Sequence, residues 1–150
     1  MKRFKFPLKP VATMRAHQEL RAREELAASI HAFAQSAERL AAARVRVSEL
    51  ESILFACRKE RLRAADEASF YQAYRRECAA EMETHRKFVV ARGEMEKCRE
   101  AYLEANRRTK VVQRLEQRAV EAYRLDGLKA EQAEIDEIAG RRATQGMRMS

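Results

Sequence analysis

Two cysteines and a histidine are the residues of this sequence whose types best suit metal chemistry. Cys57, Cys78 and His85 would offer two thiolates and an imidazole, which zinc prefers, but a tetrahedral site needs a fourth ligand close by. Free cysteines often fill narrow spaces between apolar side chains, and that interpretation is preferred here. We therefore predict no metal site.

Catalytic and cofactor motifs are missing from the sequence. No G-x-x-x-x-G-K-[ST], G-x-G-x-x-G, G-x-S-x-G, H-E-x-x-H or paired C-x-x-C pattern occurs. Catalysis also requires a concave pocket that excludes water, which a pair of helices barely provides. We predict that the protein is not an enzyme, that it has no catalytic residues, and that it binds neither a cofactor nor a small-molecule substrate.

The elements that position these residues must be long helices. Ala, Glu, Lys, Leu and Arg account for 89 of the 150 residues, whereas glycine occurs four times and proline twice. Pro7 and Pro10 are followed by about eighty residues without glycine or proline, and Pro10 suits the first position of a helix. The sequence predicts an extended segment over residues 1–9 and a first helix over residues 10–64.

Apolar residues in the first helix follow the alternating spacing of four and three residues that forms the seam of a coiled coil. Arg44 interrupts this seam, and the pattern resumes after one shortened step. The predicted seam consists of Leu26, Ile30, Phe33, Ala37, Leu40, Val47, Leu50, Leu54 and Cys57. Because a seam needs a partner, we expect the chain to double back and pair with itself.

A reversal is predicted over residues 65–69, because Ser69 and Gln72 match a capping box that would start a second helix. The second helix is then expected over residues 70–139, ended by Gly140 and followed by a disordered basic tail over residues 141–150. The predicted fold class is all-α, with two long helices forming an antiparallel coiled-coil hairpin over residues 10–140.

A hairpin folded between residues 67 and 68 brings together residues whose numbers sum to 135. This register makes Cys78 and His85 seam residues. Because seam residues are covered by the facing helix, we do not expect these two to contact a partner protein. Its six layers are Cys57 with Cys78, Leu50 with His85, Val47 with Phe88, Leu40 with Met95, Phe33 with Tyr102 and Leu20 with Leu115.

Three aromatic residues at the start of the second helix, Phe70, Tyr71 and Tyr74, cannot all face one narrow seam. An aromatic plug over the turn and a binding patch for a partner are both open interpretations.

The net charge of +8 is spread along the chain, with basic and acidic residues interspersed. Such spacing suits solvated helix faces better than a continuous stripe that binds a polyanion, so nucleic acid is a disfavoured partner. The beginning of the sequence has no apolar run like that of a signal peptide, and no window approaches the ~18 apolar residues of a membrane span. With three cysteines, an odd number, we expect a reducing, cytoplasmic location.

The chain resembles the FliJ family, the helical stalk and escort proteins of the bacterial flagellar export apparatus, with YscO-type relatives in virulence type III secretion. The opening from Phe4 to Arg15 is similar to the family's start, and Phe70-Tyr71-Gln72 opens a second helix after a long first one. The C-terminal part of the chain is similar to the family's C-terminal signature at Lys110, Leu115-Glu116-x-Arg118, Tyr123, Glu131-Gln132 and Ile135-Asp136-Glu137-Ile138-Ala139. The resemblance to this family covers nearly the whole chain.

The resemblance implies a cytoplasmic coiled coil that lies at the inner-membrane export apparatus and is peripheral to the membrane through its partners. The implied partners are the hexameric export ATPase and its regulator, the cytosolic domain of the export gate, and export chaperones. The end that bears both termini would insert in the ATPase ring and promote ring assembly and ATP hydrolysis. Whether the secretion system is flagellar or virulence-associated is open.

Two sets of site residues follow from the resemblance. For the ATPase side they are Phe4, Phe6, Leu8, Arg118, Tyr123, Gln132, Asp136 and Glu137, and for the export-gate side they are Tyr74, Cys78 and His85. Two other functions are open alternatives: a basic helical hairpin that binds nucleic acid, and a coiled-coil scaffold dimer.

Overall fold

Two helices account for nearly all of the residues that the computed structural model describes, which are residues 3–60 and 64–150. Helix α1 spans Lys9–Glu60 (52 residues) and helix α2 spans Ala64–Arg148 (85 residues). Residues early in α1 contact residues late in α2, and this described part contains no strand. The predicted all-α fold with an antiparallel helical hairpin is confirmed.

Helix α1 begins within one residue of the predicted start. The amide of Lys9 donates to the carbonyl of Phe6 (3.2 Å), and the amide of Ala12 donates to the carbonyl of Leu8 (2.9 Å). Pro10 lies in this first turn, where an amide hydrogen would have no partner within the helix. Residues 3–6 precede the helix without regular structure.

The predicted turn over residues 65–69 is wrong, because these residues already belong to α2. Asp66 and Glu67 lie in the first turn of α2, where their carboxylates stabilise the positive end of the helix dipole. The hydroxyl of Ser69 donates to the carbonyl of Ala65 (3.2 Å) inside the helix, so Ser69 is not a cap. Helix α1 ends at Glu60, and residues 61–63 lie outside the described residues.

The predicted helix end at residue 139 and the disordered tail over residues 141–150 are also wrong. Helix α2 continues through Gly140 to Arg148. A glycine inside a helix costs about 1 kcal/mol relative to alanine, and without a following proline that cost does not end the helix. Arg141 also pairs with Glu137 across the glycine, and the hydroxyl of Thr144 donates to the carbonyl of Gly140 (3.1 Å).

The chain divides into two compact units, each containing part of α1 and part of α2. The central unit is Leu20–Glu104, and the terminal unit is Met1–Glu19 together with Ala105–Ser150.

Burial along α1 follows one uninterrupted alternation of three and four residues, and this alternation sorts large side chains from small ones. Up to Ala43 in the central unit, the large series is Leu26, Phe33 and Leu40, and the small series is Ala22, Ser29, Ser36 and Ala43. Beyond Ala43 the first series continues with Val47 and Leu54, and the second with Leu50 and Cys57. Sequence reasoning followed apolar residues alone and therefore passed over the two serines.

The shortened step predicted around Arg44 is wrong. Ile30, assigned to the seam, is 48% exposed, whereas Ala43 is 0% exposed and takes the position that Arg44 was thought to interrupt. Arg44 lies beside the seam and forms an ion pair with Glu81 (3.6 Å).

The central unit pairs its helices in a different register from the predicted one. Arg46 contacts Glu77 (3.2 Å), and the rings of Phe33 and Phe88 lie 5.2 Å apart. In these two contacts and in the ion pair of Arg44 with Glu81, the residue numbers of the two partners sum to between 121 and 125 instead of 135. The predicted seam layers, including Cys57 opposite Cys78, are therefore wrong.

Packing volume explains the observed register. A sum of about 124 puts Phe33 level with Ala91 and Ser36 level with Phe88, so that each of these two layers combines a large side chain with a small one. The predicted register set Phe33 against Tyr102, two large residues in one narrow layer. The difference of about eleven residues is close to three helical turns, so the same face of α2 still meets α1.

Candidate partner-binding surfaces

Polar contacts hold the two helices together in the terminal unit. The side-chain amide of Asn106 donates to the carboxylate of Glu19 (2.8 Å), and Lys9 pairs with Glu116 (3.5 Å). The buried Thr109 hydroxyl donates across the seam to the backbone carbonyl of residue 15 (3.2 Å). Among the described residues of this unit, Val112 is the one buried apolar side chain, so these helices are joined by less apolar burial than those of the central unit.

The N-terminal segment reaches α2 through an aromatic contact. The rings of Phe4 and Tyr123 lie 5.3 Å apart in a tilted arrangement, and Phe6 is half-buried. Leu8, by contrast, is exposed. The structure thus brings together two of the ATPase-side candidates, Phe4 and Tyr123, and leaves Leu8 at the surface.

The remaining ATPase-side candidates are exposed on α2 and divide between two faces. Arg118, Gln132 and Asp136 are spaced by 14 and 4 residues, which places them on one side of the helix. Glu137 follows Tyr123 by 14 residues and shares a face with it. Gln132 donates to Asp136 (2.9 Å), so these two side chains are held in one arrangement.

Helix α2 leaves its last turns uncovered. Between Arg124 and Arg148, the C-terminal extension, every residue except the half-buried Gly127 is exposed. A row of large apolar side chains, the C-terminal stripe, occupies this surface: Leu125, Leu128, Ile135 and Ile138. Exposed apolar side chains grouped along one helix commonly mark an interaction surface.

The export-gate candidates lie along one side of α2 in the central unit. Tyr74 and Cys78 are half-buried, and His85 is exposed with its ring 6.4 Å from that of Phe88. The predicted register placed Cys78 and His85 in the seam, which argued against their contacting a partner. That argument no longer applies, because His85 is at the surface and Cys78 lies at the edge of the seam. Cys78 and His85 line a shallow groove together with Glu81, Met82 and Arg86.

Tyr74 is held by side chains from both helices. Its hydroxyl donates to the carboxylate of Glu51 on α1 (3.0 Å). Hydrogen bonding to Cys78 and to Glu51, with the negative charges that these groups carry when ionised, raises the pKa of Tyr74 to about 12. The phenol therefore stays a neutral donor at physiological pH.

Sequence reasoning missed two exposed side chains of the central unit. Met82, 61% exposed, flanks the groove, and the Phe55 ring on α1 is 64% exposed with the Lys59 ammonium 4.8 Å from its centroid. The heptad pattern identifies residues that face the seam and gives no information about apolar residues that face solvent. Of the aromatic cluster, Tyr71 is exposed under the Arg75 guanidinium (4.9 Å), whereas Phe70 is half-buried.

Residues 3–60 and 64–150 contain neither a cluster suited to a metal ion nor a membrane-spanning helix. No group of three histidine, cysteine or acidic residues is placed to hold a metal ion, and the observed register separates Cys57 from Cys78. Neither helix contains a stretch long and apolar enough to cross a bilayer.

Comparison with known proteins identifies one family. The family model for FliJ, described as "Flagellar FliJ protein", matches residues 4–148. No curated protein and no solved structure matches the chain.

Proposed function

The chain belongs to the FliJ family, whose members are non-catalytic components of the flagellar export apparatus, and we propose that it acts as a stalk for the export ATPase. In this proposal the protein is cytoplasmic and reaches the inner membrane through its partners. The terminal unit inserts in the ATPase ring and promotes its assembly and ATP hydrolysis. The central unit contacts the cytosolic domain of the export gate, and the protein escorts export chaperones.

The observation that supports the ATPase side is the exposed C-terminal extension. It presents several turns of helix with apolar and polar side chains uncovered, next to the polar seam of the same unit. Gln132 and Asp136 are already joined by a hydrogen bond, so a partner that binds them does not have to order them first. Such a surface suits insertion between the subunits of a ring.

Mixing the protein with the cognate export ATPase tests this role. We expect the wild-type protein to increase ATP hydrolysis and the fraction of assembled rings, and the double variant Gln132→Ala/Asp136→Ala to lose most of both effects. The matched control is Glu38→Ala/Arg39→Ala, two exposed residues of α1 in the central unit. Wild-type protein that changes neither hydrolysis nor assembly would contradict the stalk role.

The groove beside His85 supports a separate contact with the export gate. Tyr74 is fixed by its bond to Glu51, and Met82 and His85 add an apolar and a polar exposed side chain close to Cys78. We expect His85→Ala and Met82→Ala each to weaken binding of the purified cytosolic gate domain at least tenfold, measured by calorimetry. Val90→Ala, an exposed apolar residue of the same helix, is the control and should bind as the wild type does.

A further inference from the structure

We propose that the C-terminal stripe is a self-association surface, on which the extension of a second copy of this chain packs antiparallel to the first. The proposal rests on the placement of the stripe on α2 and on its self-complementarity. It uses the same extension that is proposed to enter the ATPase ring, so a pair would have to separate before insertion, and it is tested on the purified protein without the ATPase.

The centre of the stripe, Leu128 and Ile135, faces away from α1. Leu128 follows the buried Val112 by 16 residues, which at 3.6 residues per turn is a rotation of about 160° around the helix. The N-terminal segment packs on the side of Val112, through Phe4 against Tyr123. The chain's own first helix therefore does not cover the stripe, and a second copy can reach it without displacing Phe4.

The apolar residues of the stripe are arranged symmetrically about the point between residues 131 and 132. In an antiparallel pair centred there, facing residues have numbers that sum to 263. Leu128 then faces Ile135 of the second copy, whereas Leu125 and Ile138, about 140° apart around the helix, flank this contact on opposite sides. Two-fold symmetry repeats this contact, so the pair encloses two large-to-large apolar contacts along one seam.

Charges at both ends of the stripe fit the same arrangement. Glu121 and Arg142, whose numbers also sum to 263, lie in line with Leu128 and Ile135 at spacings of seven residues. Both are exposed, and neither forms an ion pair with another residue of the described chain. In the antiparallel pair each Glu121 meets the Arg142 of the other copy, whereas parallel pairing would set like charges opposite each other.

The expected association is weak. The paired stretch over residues 121–142 contributes about six turns of helix, and such a pair buries less than the roughly 1,200 Å² at the lower end of stable protein interfaces. We expect monomers at about 5 µM protein and a measurable dimer fraction at about 100 µM in low salt, as is typical of small interfaces with charged rims.

Charge swapping distinguishes this arrangement from other contacts. Sedimentation velocity at both concentrations should show a dimer for the wild type, at least a tenfold weaker dimer for Glu121→Arg and for Arg142→Glu, and recovery in the double variant Glu121→Arg/Arg142→Glu. Arg23→Glu, an exposed arginine of the central unit, is the control. A monomeric wild type at 100 µM, or a double variant weaker than both single variants, would overturn the proposal.

Crosslinking tests the antiparallel direction. With the native cysteines replaced by serine, and helix content verified by circular dichroism, a mixture of Leu128→Cys and Ile135→Cys chains should form a mixed disulfide dimer faster than either variant forms its own. Faster self-crosslinking of Leu128→Cys would indicate parallel pairing and would also overturn the proposal.

Discussion

At the scale of single residues, the small side chains of the seam decide how closely the helices approach. Ala43 is 0% exposed although α1 has solvent on most of its circumference, so the opposite helix must lie directly over its methyl group. Ser36 and Ser29 occupy equivalent positions one and two heptads earlier. A small residue at such a position leaves room for the large residue of the facing helix.

Replacing Ala43 with leucine should therefore destabilise the protein. The added carbons have no free volume, and overpacking of this kind costs about 1–3 kcal/mol in the free energy of unfolding. Ala42→Leu, the exposed neighbour with the same change in volume, should stay within about 0.5 kcal/mol of the wild type. Urea unfolding followed by circular dichroism measures both, and equal stabilities of the two variants would refute the packing argument.

Tyr74 makes a pH-dependent contribution that can be observed directly. Its pKa is raised to about 12 by Cys78 and Glu51, above the value near 10 of an unfolded tyrosine. The corresponding stabilisation is present below about pH 10 and is lost as the pH rises through 12. Ultraviolet titration of the phenols should show a late step that Tyr74→Phe abolishes.

Substitution of either partner tests the cause of that late step. Cys78→Ala and Glu51→Ala each remove a hydrogen-bond partner and a negative charge, so each should move the step to lower pH. A late step that is unchanged in both variants would show that these contacts do not raise the pKa.

At the scale of the helices, the sequence predicted the type of structure but not the register. The spacing of Phe33, Leu40 and Val47 identifies the inward face because it follows the helical period, whichever residue lies opposite. The register depends on which large residue meets which small one, and Ser29 and Ser36 were not recognised as seam residues because they are polar. A shift of about three turns preserves the face, so periodicity alone cannot detect it.

An ion pair at the edge of the seam provides a test of register. Arg46 contacts Glu77 at 3.2 Å in the observed arrangement, whereas a sum of 135 would separate them. Because both side chains are partly exposed, a double-mutant cycle of Arg46→Ala and Glu77→Ala should give a coupling energy of about 0.2–1 kcal/mol. Arg46→Ala paired with Glu83→Ala serves as the control cycle and should give no coupling.

The ends of the helices were predicted less well than their faces. Ser69 and Gly140 were taken as a cap and a stop from local motifs, yet both lie inside α2. A capping box or a glycine competes with the helical preference of its neighbours, and here alanine, glutamate and arginine prevail on both sides. The prediction of site residues also missed exposed positions. Met82 and Phe55 do not belong to the seam pattern, so that pattern cannot identify them.

At the scale of the whole molecule, family membership and charge distribution point to protein partners. The FliJ match covers residues 4–148, and a surface that alternates basic and acidic residues suits several protein contacts. Three basic residues of the central unit illustrate the pattern, since each lies beside a carboxylate three or four positions away: Arg86 with Glu83, Arg92 with Glu96, and Lys97 with Glu94.

Nucleic-acid binding is the alternative that this charge pattern disfavours. A net charge of +8 attracts polyanions, but every phosphate that approaches these basic residues also approaches a carboxylate. We expect no binding of a fluorescent duplex or single strand above background at about 50 mM salt, where phosphate contacts are strong, measured by anisotropy with protein up to about 10 µM. Binding that falls steeply between about 50 and 200 mM salt would show that a continuous basic surface exists after all, and would favour the nucleic-acid function over the export role.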